Sequence, residues 1–162
     1  MKNLYFLANE LSSLASNDGN FEQLQEIDGE VFRKYEKRIT KRFQLNQKNF
    51  FIKYHGPVGW KEIFKNLLQI KTPVIGAQRE YDALNLLKNN SINCPEVKGF
   101  GKKGINPANS SSFLITEELY ETISLEDFFL EGHYKKLTQK QKIILIQRVA
   151  VLVKKMHHSG LN

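Results

Sequence analysis

The chain has 162 residues, of which 41% are hydrophobic and 25% charged. That balance belongs to ordinary globular proteins and excludes a wholly disordered chain, a collagen-like chain and a disulfide scaffold. Lys and Arg outnumber Asp and Glu by 24 to 17, a net charge of +7, which favours anionic contacts: phosphate, nucleotide, nucleic acid or an acidic membrane surface. The single cysteine, Cys94, cannot form an internal disulfide, which fits a reducing cytoplasm. The densest apolar stretch, Ile143 to Val153, contains Gln147 and Arg148 and falls well short of the ~18 residues of a transmembrane helix. The N-terminus, MKNLYFLANELSSLAS, has one Lys and an apolar patch cut by Asn9 and Glu10, and reads as a weak helix rather than a signal peptide.

In FEQLQEIDGEVFRKY, two short runs, Glu22–Ile27 and Glu30–Tyr35, flank Asp28-Gly29. Gly tolerates positive φ and Asp often does, so the spacing predicts a tight hairpin there. NFFIKYH reads as a third strand, with Phe51, Lys53 and His55 on one face and Phe50, Ile52 and Tyr54 on the other. Gly56, Pro57 and Gly59 break it. WKEIFKNLL then reads as a short helix with Trp60, Ile63, Phe64 and Leu67 along one side. Thr72-Pro73 opens the next helix, whose stripe is Ala77, Tyr81, Leu84 and Leu87 and whose stop is Asn89-Asn90. Glu96–Phe100 and Ser112–Thr116 are two more strands around the loop GKKGINPANS.

Beyond Thr116 the pattern turns helical. A helix starts at Ser124, and Thr138-x-x-Gln141 is a capping box for a long helix from about Gln139 to His158, with Gly160 as its stop. The expected architecture is α+β: a five-stranded antiparallel lobe with one main helix, residues 1–118, then the first helices of an incomplete helical lobe, residues 119–162.

Lys53 carries the most chemical information, because an unpaired ammonium among strand aromatics is costly. Glu80 lies three residues after Ala77 and four before Leu84, inside the apolar stripe of its helix. A carboxylate turned towards a core needs a cation. Strand lysine with helix glutamate is the arrangement by which protein kinases hold nucleotide phosphates; any strand–helix ion pair gives the same pattern. Asp28-Gly29 sits where a kinase carries its phosphate loop, although G-x-G-x-x-G is absent, and a plain β-turn accounts for it equally well. Thr116-Glu117-Glu118-Leu119 follows a strand as a kinase hinge does, and so do many strand ends. The run Arg33-Lys34, Lys37-Arg38, Lys41-Arg42 is interleaved with aromatics and suits nucleic acid, a phosphorylated acidic substrate or plain solvation. His157-His158 point in different directions, with no carboxylate or cysteine nearby, and are not read as metal ligands.

DGEVFRKYEKRITKRF, FFIKYHGPVGWKEIFKNLL, TPVIGAQREYDAL, GFGKKGINPANSSSFLITEELYETISLEDF and VLVKKMHHSGLN together resemble the bacterial lipopolysaccharide core heptose (I) kinases, from about Leu24 to Asn162. The resemblance implies a protein-kinase-like fold and transfer of the γ-phosphate of ATP, with Mg2+, to the first heptose of the inner core. It makes Lys53 the phosphate-binding lysine and Glu80 its partner. It puts Gly29 in the phosphate-covering hairpin and makes Glu117 and Leu119 the hinge. The implied location is cytoplasmic, with no nucleic acid as partner; the net charge of +7 adds an expected association with an acidic glycolipid at the cytoplasmic face of the inner membrane. The family's His-Arg-Asp loop would follow Asn162, with the general-base aspartate about three residues beyond it and the magnesium ligands later still. On this reading the 162-residue chain alone is inactive as a kinase. The rival expectation is a non-catalytic remnant that binds nucleotide or a partner.

Overall fold

From Phe50 onward every second side chain of Lys48–His55 is buried, namely Phe50, Ile52 and Tyr54, as expected of a strand inside a sheet with one face on a core. The computed structural model describes residues 4–14, 23–35, 37–68 and 76–160. Its sheet has six antiparallel strands: β1 (Leu4–Leu7), β2 (Glu30–Tyr35), β3 (Arg38–Leu45), β4 (Lys48–His55), β5 (Val97–Lys103) and β6 (Ser111–Glu117). Their order across the sheet is β1-β5-β6-β4-β3-β2. Four helices, α1 (Trp60–Leu68), α2 (Gln78–Asn89), α3 (Leu125–Leu130) and α4 (Gln139–His158), complete the described elements, with short 3-10 turns between. The chain divides into two compact units, residues 1–84 with 95–118, and residues 85–94 with 119–162.

In the first unit each face of the sheet has its own core. Phe43, Phe50, Ile52, Tyr54, Phe113 and Ile115 bury one face beneath Leu11 and Leu24, which two 3-10 turns supply. Leu114 and Phe100 on the other face receive Ala77, Tyr81 and Leu84 from the start of α2. The Tyr81 ring stacks on Phe100 with centroids 4.2 Å apart. In the second unit, Ser124 Oγ accepts from the Asp127 N–H to open α3. Thr138 and Gln141 form the capping box of α4, each side chain taking up the other end's backbone N–H.

The sheet has six strands where five were expected, and three local readings change. The N-terminal segment opens with a strand, Leu4–Leu7, and only its second half, Asn9–Leu14, is helical, as a 3-10 helix. Leu4–Leu7 pairs with β5, and Gly99 makes the close approach feasible, since a Cβ there would sit 2.6 Å from a Leu7 methyl. Residues 23–27 form no strand; Gln23–Gln25 is a 3-10 turn that delivers Leu24 to the core. The tight hairpin therefore does not lie at Asp28-Gly29. It joins β2 to β3, with Tyr35 opposite Arg38. Gly29 is required for another reason: a Cβ would lie 2.3 Å from the Arg42 carbonyl oxygen as the chain enters β2. The expected helix opening at Thr72-Pro73 lies outside the described residues. Helix α1 buries Ile63 but leaves Trp60 and Phe64 half-exposed.

Lys98 on β5 ties its own strand to the turn after β1 and to the end of β6. Its side chain is only 13% exposed, and its ammonium meets Glu10, Glu96 and Glu117 at 2.8, 3.0 and 2.9 Å. Lys48 adds a contact to Glu10 at 3.1 Å. These carboxylates hold the Lys98 proton far more tightly than usual, and the lysines in turn lower the Glu10 carboxyl. Replacing Lys98 with Met would leave three acids facing one another without their shared cation. The expected cost is about 1–2 kcal/mol, read as a lower denaturant midpoint; an unchanged midpoint would mean that solvent already screens the cluster.

Candidate functional site

Lys53 occupies the middle of β4 with β3 on one side and β6 on the other. Alternation puts it on the face opposite Phe50, Ile52 and Tyr54, together with His55, as the sequence pattern predicts. That is the face onto which α2 packs. The entry of α2 is fixed by one buried hydrogen bond, 2.8 Å, from the Ala77 N–H to Ser112 Oγ on β6. Gly76, at φ 110°, leaves room for that hydroxyl; a Cβ would sit 2.5 Å from it. With α2 anchored there, Glu80 in its first turn reaches Lys53, and Glu80 Oε1 accepts from Lys53 Nζ.

The two side chains remain 37% and 38% exposed. A pair so placed is worth no more than about 1 kcal/mol of stability, so its contribution is to orient the ammonium. The pair lines a cavity of about 240 Å3 with Arg33, Tyr35, Arg38 and His55. Three fixed cations thus share the cavity wall with one carboxylate. His55 adds a buried ring nitrogen, Nδ1, with no hydrogen-bond partner among the described residues. Excess positive charge and an unused polar atom suit a phosphate-bearing ligand.

The sheet register explains how these residues meet. Arg33, Thr40, Lys53 and Leu114 form one row across β2, β3, β4 and β6; Tyr35, Arg38, His55 and Ser112 form the next row on the same face. The basic run is conspicuous in the sequence, but Arg33 and Arg38 can be assigned to Lys53 only once β3 is recognised as the strand between β2 and β4.

The other expected residues lie elsewhere in the chain. Gly29 lines a separate cavity of about 290 Å3 with Arg42 and Asn49. It does not meet Lys53 there, and the hairpin beside Lys53 is the β2–β3 one. Glu117 ends β6; its carboxylate is held by Lys98 and its N–H donates to the Glu96 carbonyl. Glu118, the next residue, accepts two hydrogen bonds of 2.8 Å from the Arg42 guanidinium, while its N–H donates to the Asn49 carbonyl. Hydrogen bonds from Arg42 hold the Glu118 carboxyl below its usual range. Leu119 is half-exposed in the second unit. Among the described residues, no group of three or more His, Cys, Asp and Glu side chains could hold a metal ion, and no helix is long and apolar enough to cross a membrane.

Burial, and then the charge of Arg38, push the His55 imidazole below its ordinary value; Lys53 acts in the same direction and Glu80 against it. A histidine with a depressed folded-state value leaves stability intact above about pH 6.5, the unfolded value, and withdraws it as pH falls through the folded one. The unfolding midpoint should therefore drop between pH 7 and pH 5, and His55→Gln should flatten part of that drop. Identical pH profiles for the two proteins would remove His55 from the account.

A model of the lipopolysaccharide kinase (Kdo/WaaP) family matches residues 22–162. The chain is 42% identical over 152 residues to the lipopolysaccharide core heptose(I) kinase WaaP of Escherichia coli K12, covering 94% of this chain and 57% of that protein. It is 36% identical to the WaaP of Pseudomonas aeruginosa over 142 residues, 88% of this chain and 53% of that protein. A solved structure of WaaP in complex with acyl carrier protein superimposes with a TM-score of 0.74 at 26% identity, over 97% of this chain and 57% of that one. The chain therefore spans little more than half the length of these relatives. It also has the α+β architecture of the solved one. Matched over nearly all its length by the family model, the chain belongs to the lipopolysaccharide kinase (Kdo/WaaP) family.

Proposed function

We propose that this chain carries the nucleotide-binding portion of an ATP-dependent kinase whose acceptor is the first heptose of the lipopolysaccharide inner core. The observation that carries the reading is the pairing of Lys53 on β4 with Glu80 on α2 beside a cavity dominated by cations. Membership of the kinase family supports the nucleotide, and the relatives that act on heptose(I) support the acceptor. The net charge of +7 supports attraction to an acidic glycolipid at the cytoplasmic face of the inner membrane.

In this reading Lys53 binds the α- and β-phosphates, and Glu80 keeps the ammonium extended towards them. Bound ATP supplies the transferable phosphoryl group. Glu117 and Leu119 offer backbone groups to adenine, and Gly29 borders the neighbouring cavity rather than covering the phosphates. Phosphoryl transfer also draws on magnesium, but the described residues include no cluster that fits one; no metal ligand is assigned to this chain and no step depends on one here. A remnant that only binds nucleotide would share every one of these assignments. Phosphoryl transfer from ATP to a heptose-containing acceptor separates the two readings.

The direct test of the site is an ATP titration. Lys53→Met should weaken ATP binding by about tenfold or more, because a charge-assisted contact to phosphate is worth roughly 1.5–3 kcal/mol. Glu80→Gln should weaken it less, by about threefold to tenfold, since the lysine keeps its charge and loses only its orientation. ATP affinity unchanged in both variants would overturn the reading.

A further inference from the structure

Kinases that cover nucleotide phosphates with a glycine-rich hairpin do so with backbone N–H groups. The hairpin beside Lys53 in this chain has no glycine between Glu30 and Leu45, so it has none of the conformational freedom that such a backbone cradle uses. It is instead rich in Arg and Lys. We propose that Arg33 and Arg38 of the β2–β3 hairpin bind the terminal phosphates of the nucleotide through their guanidinium groups, replacing that backbone cradle. The inference rests on the nucleotide reading given above and assigns two further binding residues to the same site.

Three observations carry it. Arg33 and Arg38 line the same cavity as Lys53, Glu80 and His55. The cross-strand rows put Arg33 in register with Lys53, and Arg38 with His55, on one face of the sheet. The third is the register of the turn. Tyr35 pairs with Arg38 across the tight turn, which fixes Arg33 opposite Thr40 and so on the face of Lys53. The shift between Val31 and Arg33 displaces only the entry of β2 relative to that frame. Guanidinium groups suit the task, since their planar donor fork matches two phosphate oxygens at once, which an ammonium does not.

The shared chemistry is a phosphate group, and a phosphorylated glycolipid could also supply one; the probes separate the sources. Magnesium–ATP, adenosine and inorganic tripolyphosphate are titrated into the 162-residue chain and into Arg33→Gln, Arg38→Gln and Arg33→Lys, with unfolding midpoints measured in parallel. Arg33 is exposed on its strand, so Arg33→Gln should leave the midpoint unchanged. The expected result is ATP and tripolyphosphate binding about tenfold weaker in Arg33→Gln, adenosine binding within about twofold of the unaltered chain, and partial recovery of ATP affinity in Arg33→Lys. Arg38→Gln should weaken ATP and tripolyphosphate in the same direction. If both glutamine variants bind ATP as the unaltered chain does while Lys53→Met does not, the arginine assignment fails and the nucleotide reading survives. If adenosine affinity falls as far as ATP affinity, the arginines support the fold rather than the phosphates, and the proposal is overturned. If the unaltered chain binds tripolyphosphate through Arg33 but has no preference for ATP over it, the phosphate belongs to another ligand and the nucleotide assignment is overturned. ATP binding indifferent to Lys53, Arg33 and Arg38 alike sinks both readings.

Discussion

The ion pair between Lys53 and Glu80 is the contact around which the first unit is arranged. It is modest in energy, because both side chains are more than a third exposed. Its importance is geometric. It requires a central strand that turns Lys53 away from the aromatic core, and a helix whose first turn reaches that strand. Ser112 meets the second requirement by accepting the Ala77 N–H, and Gly76 by leaving that hydroxyl its space. Both requirements meet on one face of the sheet, in adjacent rows, since Ser112 lies directly across from His55, two residues along from Lys53.

The two ends of β4 do different work. At the His55 end, Arg33, Arg38 and Lys53 concentrate positive charge around a cavity. At the other end, opposite charges are neutralised in pairs and clusters. Arg42 holds Glu118, and Lys98 gathers Glu10, Glu96 and Glu117. Those contacts join the turn after β1, β3, β5 and the exit of β6, so the strand end beyond Thr116 is held by side chains as well as by the ladder. Cations thus outnumber carboxylates where a phosphate is expected, and the two are matched where the sheet needs rigidity. Electrostatic preorganisation of this kind lets a site meet its ligand without first rearranging.

Much of this was legible in the sequence, for reasons that are local. The strict alternation in NFFIKYH showed which face Lys53 takes, and the stripe Ala77, Tyr81, Leu84 showed that Glu80 shares that side of α2. The Thr138–Gln141 box marked the start of α4, because capping depends on residues three apart. What stayed hidden depends on distant partners. Strand β1 is short and exists by pairing with β5, some ninety-odd positions along the chain. Strand β3 buries only Phe43 fully, so RITKRFQL has too little hydrophobic alternation to stand out. Missing β3 moved the hairpin to Asp28-Gly29, where a close approach to Arg42, not a turn, demands the glycine. The same omission concealed the fact that Arg33 and Arg38 face Lys53.

Under the proposed function, Glu80 acts on the nucleotide only through Lys53. A double-mutant cycle measures that dependence most directly, by comparing ATP affinity in the unaltered chain, Lys53→Met, Glu80→Gln and the double variant. Strong non-additivity is expected, with Glu80→Gln costing nothing further once Lys53 is gone. Strictly additive losses would contradict it, because the two side chains would then be acting on the ligand independently.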